Sequence, residues 1–149
     1  MKLVLCLVLL TMTFSFPTLS HEIKLKDITT EEIINTRKKK MSIINKLTQK
    51  IYKQLNTDDY QVLKENIIEL KHTANNFQML FPKESQGGKA KKLIWEDKKL
   101  FDKYNEDFLY DINFMLVSIN EKDSINLKQN FNNMASNCSS CHKKFKKKK

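Results

Sequence analysis

The chain has 149 residues, a formal net charge of +10, and only two glycines, two prolines and three cysteines. That length suits one domain with one core, and the lone Gly87-Gly88 pair carries no phosphate-loop motif. Every basic residue but Arg37 is lysine, a bias that reads as base composition at least as much as selection for acidic partners, and no paired-histidine metalloprotease signature occurs.

Residues 1–20, MKLVLCLVLLTMTFSFPTLS, combine one basic residue (Lys2), an apolar run and small polar residues, the layout of a secretory signal peptide. The run is too short to span a bilayer and no second one follows, so no transmembrane segment is expected. Thr18 and Ser20 suit cleavage just before His21, Cys6 is apolar filler, and residues 21–149 form the exported domain. Only Cys138 and Cys141 then remain, and outside the cytoplasm they must be paired, metal-bound or modified.

Four amphipathic segments follow. Thr29 or Thr30, with Glu31 and Glu32 behind it, starts the first, whose apolar residues (Ile33, Ile34, Met41, Ile44, Leu47, Ile51, Leu55) recur near every 3.6 positions. The NTDD stretch at 56–59 breaks it and caps the next. That second stripe, Leu63, Ile67, Leu70, Ala74 and Phe77, is expected to run to Pro82. After PKESQGGK, the longest segment carries Ile94, Phe101, Phe108 and Met115 at steps of seven, with Tyr104 and Ile112 beside them. NEKDS closes it, and the last segment bears Leu127, Phe131, Met134, Cys138, Cys141 and Phe145. Long helices with short connections predict an all-α chain folded as an antiparallel four-helix bundle.

The ending NCSSCHKKFKKKK carries the chemistry. On a helix, Cys138, Cys141 and His142 share one face with Met134 and Phe145, the inward one. Two thiols one turn apart can each add to a vinyl group of a haem, and the adjoining imidazole can bind its iron. A C-x-x-C-H run is therefore read as the attachment site of one covalent haem c, seated between helices near the C-terminal helix. A redox-active disulfide would call for a β-α-β unit that is not visible. A zinc site would want two further ligands, and the only other histidines are His21 and His72, the latter off its helix's apolar stripe. A structural disulfide across one helical turn would be strained.

The same ending resembles the class II cytochromes c, the cytochrome c' family. TRKKKM at 36–41 is similar to its first-helix pattern, LFPKES at 80–85 and LIWEDKKLFDKYNEDF at 93–108 to its second-helix end and third-helix start, and CHKKFK at 141–146 to its ending. The resemblance implies a periplasmic haem protein, and many members are dimers built on the first two helices. In low-spin members a first-helix methionine ligates iron opposite the histidine, and Met41 stands at that place; in cytochromes c' proper, an apolar residue leaves the position open to small gases. Lys146 departs from the arginine often found there. A Met/His pair raises the potential and favours electron transfer.

Arg37, alone among so many lysines, suggests a need for its planar fork, and a haem propionate is the expected partner. Met79, Met115 and Met134 are lesser ligand candidates, and Trp95, Phe101, Tyr104 and Phe108 read as core. The tail lysines (Lys143, Lys144 and Lys147 to Lys149) read as a solvated terminus, or as a docking patch. The leading expectation is a one-electron carrier, not an enzyme, serving redox partner proteins with an acidic docking surface and no nucleic acid. The alternatives are a five-coordinate haem protein that binds nitric oxide or carbon monoxide and, third, a thiol–disulfide protein.

Overall fold

The computed structural model describes residues 28–148; the signal peptide read in residues 1–20 and its cleavage site at His21 lie outside them. Four long helices, α1 (Thr30–Gln54), α2 (Tyr60–Ala74), α4 (Lys98–Asn120) and α5 (Ser124–Phe145), surround one core, with a single-turn α3 (Leu93–Glu96) leading into α4. No strand occurs among the described residues. The bundle matches the all-α expectation.

Local chemistry explains the boundaries. Thr29 forms a capping box with Glu32: its hydroxyl accepts the Glu32 N–H at 3.2 Å while the Glu32 carboxylate accepts the Thr29 N–H at 2.8 Å. Asp59, Asp97 and Asp123 each accept backbone N–H groups at the starts of α2, α4 and α5. Two expectations shift. The second helix ends at Ala74, not at Pro82, because Asn76 turns left-handed (φ 58°) and the chain continues as two 3-10 turns, Phe77–Leu80 and Lys83–Ser85. The third segment is interrupted at Asp97, whose side chain bonds the Leu100 N–H instead of letting one helix run from Ile94.

The apolar stripes meet in two clusters. The larger joins all four long helices around Ile51, Ile67, Leu70, Ile112, Met115 and Met134. Met115 and Met134 are fully buried in this cluster, and Met79 is exposed. Ile67 is fully buried, so Ile67→Ala is expected to cost about 3 kcal/mol in urea unfolding. The second cluster is aromatic: Phe101 meets Phe81 edge-on at 4.7 Å and Phe145 at 5.3 Å. Cys138 packs against the first cluster and Cys141 against the second, so the haem-motif helix spans the seam between them.

Residues 145–147 pair with the stretch 89–91. The Lys91 N–H donates to the Phe145 carbonyl at 2.9 Å and the Lys147 N–H to the Lys89 carbonyl at 2.8 Å. The Lys91 ammonium donates to the Lys143 and Lys144 carbonyls, capping the end of α5. Gly88 (φ +61°) makes the turn that permits this, and a Cβ there would press on Ile34 at 3.1 Å.

Candidate functional site

The seam opens into a half-open cleft whose walls are mostly apolar, with an internal cavity of about 70 Å³. Cys138, Cys141 and His142 on α5 form one wall, Met41 and Ile44 on α1 another, and Ala74 and Phe77 a third. Phe101, Tyr104, Asn105 and Phe108 from α4 complete it. The helical periods that bury the core thus bring Met41, from the far end of the sequence, to the C-x-x-C-H motif.

Burial sets the protonation states. Both thiols are free, and desolvation pushes the pKa of each up to about 11. They therefore stay protonated near neutral pH, the opposite of the low-pKa cysteine that thiol–disulfide exchange requires. Burial also pushes the His142 pKa below its ordinary value, with the nearby Lys146 ammonium adding to the shift. A neutral imidazole is the form that ligates a metal. No group of three or more His, Cys, Asp or Glu side chains suited to a metal ion occurs among the described residues, and His72 is exposed.

Arg37 lies beside this cleft rather than in its wall. Its Nε donates to the Leu80 carbonyl at 2.6 Å, and Nη2 donates to the Ser85 carbonyl at 2.8 Å and to the Ser85 hydroxyl. The guanidinium lies 4.1 Å over the Phe81 ring and 5.5 Å from that of Trp95, whose indole N–H donates to the Pro82 carbonyl. Most of the fork is spent on loop oxygens. Its Nη1 is buried without a partner, and burial lowers the group's pKa to about 10.

Two polar pairs escaped sequence reasoning. The Asn105 amide donates to the Gln78 side chain at 2.9 Å, and the Asn137 amide to the Asp111 carboxylate at 2.5 Å. Both link separate elements, and nothing in the spacing of asparagines announces such partners.

Two thiols one helical turn apart, a neutral imidazole beside them, apolar walls and a spare buried guanidinium N–H together fit a haem. Residues 32–146 match the family model described as Cytochrome C'. The chain belongs to the cytochrome c' family.

Its fold agrees. A nitric oxide complex of a cytochrome c prime variant from Alcaligenes xylosoxidans superimposes with a TM-score of 0.75 at 20% identity, covering 80% of this chain and 98% of that one. A ferrous variant from the same organism with bound nitric oxide gives 0.76 at 22%, covering 81% and 98%. A carbon monoxide-bound variant gives 0.76 at 20%, covering 80% and 98%. No curated protein matches the sequence at a significant level. The family binds covalently attached haem c, and the presence of Cys138 and Cys141 is consistent with its C-x-x-C-H motif.

One expectation is overturned. An electron carrier with Met41 as sixth ligand would have its iron filled on both sides. The match to the Cytochrome C' family, whose solved relatives include nitric oxide and carbon monoxide complexes, overturns that reading. No helix among the described residues is long and apolar enough to cross a membrane.

Proposed function

We propose that this cytochrome c' is a periplasmic haem protein that reversibly binds nitric oxide or carbon monoxide. The cleft's apolar walls carry the reading: small uncharged gases partition into such a space, and water gains little there. Cys138 and Cys141 would hold the macrocycle through thioether bonds, and His142 would hold its iron. When bound, the haem would supply a ferrous iron able to take the gas. Nη1 of Arg37 is left as a donor for one propionate. Met41 contributes thioether bulk to the cleft, so it acts as a wall. Binding of this kind is association without turnover, so no enzyme activity is assigned. Exposed Ile43 on α1 and Ile68 on α2 support a homodimer on those helices.

The test is the visible spectrum of haem-loaded protein. The ferrous form is expected to be high-spin and to shift on adding carbon monoxide. Sharp low-spin bands indifferent to the gas would refute the proposal. Met41→Ala is expected to leave the gas-free spectrum unchanged and to speed carbon monoxide binding about tenfold, the scale of removing a small apolar contact. A switch from low to high spin in that variant would instead identify Met41 as a ligand.

A further inference from the structure

Asp111, near the middle of α4, faces inward and is only 9% exposed. Its carboxylate accepts the Asn137 amide at 2.5 Å, and Asn137 both lines the cleft and directly precedes Cys138. No cation offsets it: the ion pairs among the described residues are Lys98–Asp102 and Lys103–Asp107. Burial pushes its pKa up, the Asn137 hydrogen bond pulls it down, and Asp107, one turn away and of the same sign, pushes it up again. Its field reaches the Cys138 thiol and adds to the rise in that group's pKa.

We propose that Asp111 sets the reduction potential of the haem, its buried and unpaired carboxylate favouring ferric over ferrous iron. Reduction adds one electron from an external donor to the iron and lowers the positive charge that the carboxylate stabilises. In the poorly screened interior this opposition is strong. Only ferrous iron takes carbon monoxide, so Asp111 fixes the ambient potential at which gas capture begins. Nothing in the family match assigns this residue a part. The inference rests on haem being attached at Cys138.

Spectroelectrochemical titration of haem-loaded protein with dithionite, at about pH 8 where carboxylates are ordinarily ionised, separates charge from packing. Asp111→Asn removes the charge and is expected to raise the ferrous-to-ferric ratio at fixed ambient potential about tenfold, a rise of about 59 mV for a one-electron couple. Asp111→Glu keeps the charge, and its midpoint is expected to stay near the parent's. Should Asp111→Asn fail to load haem, Asp111→Ser provides the same comparison. An unchanged midpoint in a charge-removed, haem-loaded variant overturns the assignment, as does an equal rise in Asp111→Glu. A parent protein without a Soret band would instead sink the haem attachment itself, so the two failures are told apart.

Discussion

A Cys138→Ser, Cys141→Ser chain is expected to emerge with the mass of the polypeptide alone, its Soret absorbance lost after acid extraction. Both thioether bonds would be gone, and serine hydroxyls do not add to vinyl groups. Folding should suffer as well. The cleft walls, Met41, Phe77, Phe101 and Phe108 among them, are apolar surfaces that the macrocycle covers in the loaded protein. The double variant should bind a hydrophobic dye and melt well below the parent. Native-like, cooperative unfolding at the parent's temperature would show that the haem is not a core element.

That haem-free chain also carries a pH signature. The folded-state pKa of His142 lies below its unfolded value of 6.5. Below that pH the unfolded chain therefore binds the proton first. Stability is fully present above 6.5 and is lost as the pH falls through the folded-state pKa. Thermal melts at about pH 7.5 and about pH 5.5 should differ in the haem-free chain. They should differ less once His142→Gln is added.

Arg37→Ala is expected to destabilise the protein by about 3 kcal/mol in urea unfolding, combining a lost packed side chain with orphaned carbonyls. The guanidinium lies over Phe81, reaches the Trp95 ring, and donates to the Leu80 and Ser85 carbonyls, so it ties both ends of the 80–85 loop to α1. Arg37→Lys should recover only part of the loss, because a single ammonium cannot span both carbonyls in the fork's geometry. A variant Arg37→Ala as stable as its parent would mean the loop is held by its aromatics alone.

Much of this was legible in advance because helical periodicity is local. Stripes at 33–55 and 63–74 and capping residues such as Thr29, Asp59 and Asp123 depend on neighbours within a turn or two. The C-x-x-C-H run was legible for the same reason, since its chemistry needs three side chains on one helical turn. Asn76 and Asp97 misled the reading because one backbone angle or one cap can end a helix whose apolar pattern continues. Met41 was singled out as a ligand candidate, and its place in the cleft wall depends on how α1 packs against α5, which its spacing does not encode.

From residue order alone came an all-helical chain, the place of its caps and a paired-thiol, imidazole motif for haem c. Only the tertiary structure decided what Arg37 holds, that Phe145 and Lys147 pair with Lys91 and Lys89, and that Asp111 lies buried beside the residue preceding Cys138. The reason is distance along the chain. Arg37 and Ser85 are 48 residues apart and Asp111 and Asn137 are 26 apart, and no local propensity encodes which of many equivalent polar side chains will meet once the helices pack.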